Sequence, residues 1–495
     1  QGILRDCMRR TSFMDDFLNN SDTSSDWYQS NLSLFLDLCE LHGEAAKQHH
    51  NQLVEKYIAS PSNSLKDSQL DNITASGPPL EVLISSLEKL RDRRAAANRD
   101  DIPTRFNDIQ VLNKRLLNTT PKINKYKGDF ILTKANYLLS HSVGRPLIES
   151  EKFFNDKFFK PWSDGLAEPW QEWLQATDNF TSQLALLFSA KKEEFCPQIN
   201  LSSGLSKLLM SVEGLQNKKP IVLMSEIDFP GMGFVLKKSL PDDCEVRFIP
   251  ANEEVTDFAV WEKYLTDDID LVFISHAYSN TGQLAPIGKA LSLAKSKKII
   301  SVLDVAQSVG IVPIDLEVLQ PDFMIGSSVK WLCGGPGAAY LWINSKRLPF
   351  CHPRDVGWFS HENPFEFDIH NFRYRDSALK FWGGTPSVAP YVVAGHSISY
   401  FNNIGINKVR QHNQKLIEQI SREFGDEFVS PRQEAKRGGT MILNFGSNQN
   451  KILHRLNENK ISVDLRSQGI RISPHIYNDD EDMAHLIKVI KATKF

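Results

Sequence analysis

Residues 299–304 read Ile-Ile-Ser-Val-Leu-Asp, and residues 323–337 read Phe-Met-Ile-Gly-Ser-Ser-Val-Lys-Trp-Leu-Cys-Gly-Gly-Pro-Gly. Each stretch opens as a short apolar, β-rich run and leads to a group that can carry charge: Asp304 in the first, Lys330 in the second. A short apolar run bounded by turn residues fits a strand buried on both faces. Similar runs recur at 221–224, 246–249, 271–274 and 338–343, and helical spacing fills 204–213, 255–265 and 287–296 between them. Strands alternating with helices predict an α/β fold, a mostly parallel sheet sandwiched by helices. Such sheets bind ligands outside the carboxyl ends of their strands, so the residues just after each run are where chemistry is expected.

The rhythm changes on both sides of this region. Residues 389–402 and 406–424 read as long helices, followed by short strands near 441–445 and 471–473 and a closing helix from about residue 481. This predicts a smaller α+β domain over 389–495 behind a large α/β domain over 128–388, with 128–177 partly joining the small one. Residues 1–127 predict a helical N-terminal appendage. Its apolar spacing appears over 26–60 (Trp27, Leu32, Phe35, Leu36, Leu53, Tyr57) and over 81–97 (Val82, Leu83, Leu87, Leu90), with a polar loop at 61–79 between. His49-His50 in this appendage reads as solvent-exposed, and no metal site is expected.

The bulk numbers agree with a soluble globular protein. A chain of 495 residues exceeds one ordinary core and suggests two or three domains. Hydrophobic residues are 41% and charged residues 24%, with a net charge of -3. That balance gives no electrostatic footprint for nucleic acid or an anionic membrane. No apolar run approaches the roughly 20 residues that span a bilayer, and the opening residues hold no apolar signal core. The six cysteines form no Cys-x-x-Cys pair, which argues against a disulfide framework or a thiolate zinc site. A reducing, cytoplasmic compartment is the expectation.

The residue types at the predicted strand ends suit one chemistry. A lysine amine condenses with an aldehyde cofactor. A carboxylate beside a pyridine nitrogen keeps it protonated, so the ring accepts electrons. Ser202 and Ser203 open a predicted helix, whose N-terminus suits a phosphate. Taken singly, Asp304 reads as a cap or ion-pair partner, Lys330 as a surface charge, and the serines as helix caps; their conjunction is what argues for a site. Other motifs are incomplete. Ser327-x-x-Lys330 lacks the Ser-Asp-Asn and Lys-Thr-Gly partners of β-lactamases. Gly326-x-Ser328 lacks the second glycine of a nucleophile elbow, and His361-Glu362 lacks the second histidine of a zincin helix. Cys333 reads as a small buried residue filling the turn after Lys330.

The segments Leu303-Asp304-Val305-Ala306-Gln307-Ser308 and Ser327-Ser328-Val329-Lys330-Trp331-Leu332-Cys333-Gly334-Gly335-Pro336-Gly337 resemble the cofactor-binding core of the class V aminotransferase superfamily. These are fold-type-I enzymes that use pyridoxal 5′-phosphate: kynureninases, cysteine desulfurases, selenocysteine lyases and isopenicillin-epimerase-like proteins. The resemblance spans residues 128–495. It implies that Lys330 is the Schiff-base lysine and that Asp304 pairs with the pyridine nitrogen. Ser202 and Ser203 would contact the phosphate, and Phe229 would stack on the ring. Ser275, Gln307, Ser327 and Trp358 would be further cofactor contacts. Thr385, in Gly383-Gly384-Thr385-Pro386, would reach a phosphate across a homodimer interface. Arg471 would grip the substrate carboxylate, for which a guanidinium fork is suited.

The branch of the superfamily is less marked. Residues 331–337 and 357–362 resemble kynureninase, whereas Gly383–Pro386 and Arg471-Ile472-Ser473-Pro474-His475-Ile476-Tyr477-Asn478 resemble the epimerase and lyase branch. Val329, Gln307, Met232 and Thr385 depart from kynureninase. No cysteine follows Cys351, which speaks against persulfide chemistry. The expected function is a lyase-type cleavage of a C–S or C–C bond in the side chain of an amino-acid substrate, a small molecule. Transamination or epimerisation is the alternative within the superfamily. An inert protein on this fold, with a protein-binding appendage, is the alternative outside it.

Overall fold

The computed structural model describes residues 125–165, 167–216 and 218–494. The chain divides into two compact units, Gln1–Lys122 and Ile123–Phe495. The helices expected at 26–60 and 81–97, and His49-His50, lie outside the described residues.

The second unit is built on a seven-stranded sheet: β1 (Phe195–Gln198), β2 (Ile221–Ser225), β3 (Glu245–Ile249), β4 (Leu271–Ser275), β5 (Ile300–Asp304), β6 (Phe323–Ser327) and β7 (Ala339–Ile343). The spatial order is β1-β7-β6-β5-β4-β2-β3. Strands β3, β2, β4, β5 and β6 run parallel, and β7 is antiparallel to both β6 and β1. The central strands β4 and β6 are buried along their whole length, which is why they read as continuous apolar runs. Edge strand β3 is buried only at Ile249.

Helices cover both faces, as the alternation predicts. Alternate residues of β4 point into two separate cores. Leu271 and Phe273 join a cluster with Leu205 and Leu209 of α2 (Leu201–Ser211) and Leu236 of α3 (Pro230–Ser239). Val272 and Ile274 join a second cluster with Phe180 and Leu184 of α1 (Trp170–Phe188), Leu291 of α5 (Ile287–Ser296) and Ile398 of α6 (Ala389–Ile404). Helix α4 (Phe258–Tyr264) adds Trp261 to that second core.

A third core lies in the C-terminal region. It joins Leu416 and Ile420 of α7 (Ile406–Glu423), Met441 and Leu443 of β8 (Met441–Leu443), Leu456 of α8 (Gln449–Glu458), Ile470 of β10 (Gly469–Ile472) and Leu486 of α9 (Asp480–Lys494). With β9 (Asp464–Arg466), strands β8 and β10 form an antiparallel sheet in the order β9-β10-β8. Leu138 is buried in this core, and Asn136–Tyr137 pairs with Ile461–Ser462. No described helix is long and apolar enough to cross a membrane.

Strand β1 and helix α1 are absent from the sequence-based expectation. β1 contains Pro197, which lacks the N–H that a central strand needs. It is tolerated because β1 is an edge strand, paired only with β7.

Candidate active site

The carboxyl ends of β1, β2, β4, β5 and β6 converge on one cleft of about 280 Å³. The β6 ladder ends at Ser327, and the chain then folds sharply. Gly334 N–H donates to Ser328 O at 2.8 Å, and Cys333 N–H donates to Lys330 O at 3.1 Å. A Cβ at Gly334 would lie 2.8 Å from Ser328 Cβ and 2.9 Å from Ala394 Cα, so only glycine lets this turn close against α6. The turn delivers Lys330 to the cleft.

Asp304 ends the neighbouring strand β5 and lines the same cleft. It is 7% exposed, and its Oδ1 accepts a 2.8 Å hydrogen bond from Ala306 N–H. Burial pushes its carboxyl up, while that N–H and the Lys330 charge pull it down. Lys330 is partly buried. Desolvation lowers its ammonium, Asp304 opposes the shift, and Arg471 adds to it. A lowered lysine is more often neutral and so nucleophilic at ordinary pH.

Seven of the residues expected from sequence line this cleft: Ser202, Phe229, Ser275, Asp304, Gln307, Ser327 and Lys330. Ser202 lies in the first turn of α2, whose N–H groups have no preceding intrahelical carbonyl. Asn200 caps this helix, its side chain accepting from Ser203 N–H at 2.8 Å. Ser203 itself is not among the lining residues. Phe229 is 59% exposed at the start of α3.

Three further expected residues lie elsewhere. Trp358 packs edge-on against Trp170 at 5.6 Å and Phe359 at 4.5 Å. Thr385 is exposed beyond Gly383. Arg471 is 5% exposed behind the cleft wall, where its Nη1 donates to the Ser279 carbonyl at 3.1 Å and its Nε to Asp464 Oδ1 at 2.8 Å. Cys333 is 1% exposed and burial pushes its thiol up, as suits a residue that fills space.

The site also holds groups that the sequence reading passed over. Tyr278 and Ser279 line the cleft. Asp228, just before Phe229, is 6% exposed and accepts from Ser225 N–H at 2.7 Å through Oδ2, while Oδ1 has no partner. Burial pushes its carboxyl up to about 7. His141 approaches Asp464 at 3.0 Å, although the two are 323 residues apart in sequence. Asp228 directly precedes Phe229 in sequence, which is the only local signal for it; no local pattern announces the His141–Asp464 pair.

The donor set fits pyridoxal phosphate. A buried acid is costly unless paired with a cation, and a protonated ring nitrogen is such a cation. An amine for an aldehyde and a helix start for a phosphate share the cleft with it.

The family comparison agrees. The model described as aminotransferase class-V matches residues 171–486. The chain belongs to the class-V aminotransferase family. It is an enzyme of that pyridoxal-phosphate-dependent superfamily, and pyridoxal 5′-phosphate is its cofactor. An uncharacterized aminotransferase, YcbU, of Bacillus subtilis (strain 168) is 25% identical over 65% of this chain and 85% of its own length. A kynureninase of Shouchella clausii (strain KSM-K16) is 25% identical over 76% of this chain and 92% of its own. Among solved structures, a cysteine desulfurase from Thermococcus onnurineus NA1 superposes with a TM-score of 0.66 at 18% identity, covering 73% of this chain and 95% of that one. The cystine C-S lyase C-DES, bound to cysteine persulfide, gives a TM-score of 0.66 at 19% identity, covering 72% and 98%. Residues 1–116 match a different model, monodechloroaminopyrrolnitrin synthase PrnB.

Proposed function

We propose that this class-V enzyme cleaves a C–S or C–C bond in the side chain of an amino-acid substrate, with Lys330 as the cofactor-bearing lysine. The observation that carries the reading is the juxtaposition of Lys330, its ammonium disfavoured by burial, with buried Asp304 on one cleft. When bound, pyridoxal phosphate supplies an aldehyde for the lysine amine and a ring that takes up an electron pair from the substrate. Asp304 would hold the proton on the ring nitrogen. Ser202 and Ser203, at the start of α2, would hold the phosphate, and Phe229 would cover the ring. Ser275, Gln307 and Ser327 would fix the ring edge.

Lys330 Nζ is then the group that moves a proton to and from the substrate Cα. Arg471, behind Ser279, would face the substrate carboxylate. Trp358 and Thr385, which lie away from their own cleft, would serve the neighbour's cleft in a homodimer. The large and small domains would divide at about residue 388.

The kynureninase relatives and the cystine C-S lyase neighbour support a lyase outcome. The YcbU relative favours transamination as the second reading. The match of residues 1–116 to a synthase model supports a second functional unit in place of a purely accessory appendage. The test is to incubate the holoenzyme with a panel of amino acids and assay pyruvate, ammonia, sulfide and pyridoxamine phosphate. A lyase releases side-chain fragments and keeps its cofactor in the aldehyde form. Stoichiometric pyridoxamine phosphate without fragments would contradict it.

A further inference from the structure

Arg471 on β10 stands directly opposite Asp464 on β9, and opposed cross-strand residues put their side chains on one face. The Asp464 carboxylate takes the guanidinium side-on. Nε donates to Oδ1 at 2.8 Å, and Nη2 donates to Oδ2. Nη1 is engaged by the Ser279 carbonyl, and Ser279 lines the cleft that holds Lys330. His141 gives Asp464 a further hold through Nε2 at 3.0 Å, while its Nδ1 lies 2.6 Å from Ser473 Oγ. The Arg471 side chain is 6% exposed and that of Asp464 28%, so Asp464 is the member with a route to water.

A side-on, two-bond grip on a guanidinium is the arrangement that a substrate carboxylate would need. Here an internal carboxylate already makes it, with the exposed Arg466 also approaching Asp464 Oδ2 at 3.6 Å. We propose that Asp464 is a specificity-determining residue: it competes with a substrate α-carboxylate for Arg471 and lowers the site's preference for amino acids over the matching amines. This rests on Arg471 as the residue that faces the carboxylate end of the substrate.

The test compares L-phenylalanine with phenethylamine, and L-alanine with ethylamine, as ligands of the holoenzyme. Binding is read from the shift of the cofactor's visible band and from calorimetry, with melting temperature as the folding control. In the wild-type protein each acid and its amine should bind within a few-fold of one another. Asp464→Asn and Asp464→Ser should each raise the preference for the acid by about tenfold or more, while Asp464→Glu, which keeps the charge, should not. An unchanged or reduced preference in both neutral variants would overturn the proposal. Arg471→Gln separates the two readings. If it leaves acid binding unaltered, the role of Arg471 itself fails. If it weakens acid binding while the Asp464 variants change nothing, only the competition fails.

Discussion

At the residue scale, two buried carboxyl groups serve the candidate site, Asp304 lining the cleft and Asp228 just before Phe229, and burial first, then the nearby Asp304, raises the cost of ionising Asp228. Asp228 gives a prediction whose sign follows from linkage. Its carboxyl is pushed up to about 7 from the ordinary 3.8. Between those values the unfolded chain is ionised there while the folded chain keeps the proton. The folded state therefore binds more protons, and stability falls as pH rises through that window. Asp228→Asn keeps an oxygen for Ser225 N–H and cannot ionise. It should gain stability relative to wild type as pH goes from 5 to 8, by about 2–4 kcal/mol, seen as a widening gap in melting temperature. An offset that does not vary with pH would show that Asp228 is already ionised in the folded protein.

At the element scale, the site depends on β6 lying flush against β7 so that the chain can turn into Lys330. Gly326 pairs with Tyr340 across these strands, and a Cβ at Gly326 would lie 2.2 Å from Tyr340 Oη. The ring cannot easily yield, because Phe188 and Phe195 pack on it with centroids at 5.8 and 6.1 Å. Gly326→Ala should cost about 1–3 kcal/mol and lower the melting temperature, and adding Tyr340→Phe should restore part of the loss. Equal losses in the single and double variants would mean that the clash is not with the hydroxyl. The strand ends of this sheet were legible because β4, β5 and β6 are buried on both faces and so read as largely apolar runs ending in Ser275, Asp304 and Ser327. Helix α5 was legible from its spacing, with Ile287, Ala290, Leu291 and Ala294 buried. Strand β1 was not, because Pro197 disguises it. The network of Arg471, Asp464 and His141 was not either, since it is made by cross-strand register in one region and by a segment packed in from residue 141, neither of which leaves a pattern in local sequence.

At the scale of the whole molecule, chemistry and support are separated. Two cores hold the seven-stranded sheet that presents Lys330 and Asp304, and a third holds the strands that carry Asp464 and Arg471. Arg471 therefore meets the Lys330 cleft only through the packing of the C-terminal region against the large sheet, at the Ser279 carbonyl. Trp358 and Thr385 lie outside the cleft of their own chain, which is the arrangement expected if a second copy uses them. All of this turns on where the cofactor is attached. The most direct measurement is borohydride reduction of the holoenzyme followed by peptide mass mapping. The expected result is a visible absorbance band that disappears on reduction, with one phosphopyridoxyl group on the peptide containing Lys330, and Lys330→Ala protein that has no reducible band. A label on any other lysine, or a reducible band that survives in Lys330→Ala, would contradict it.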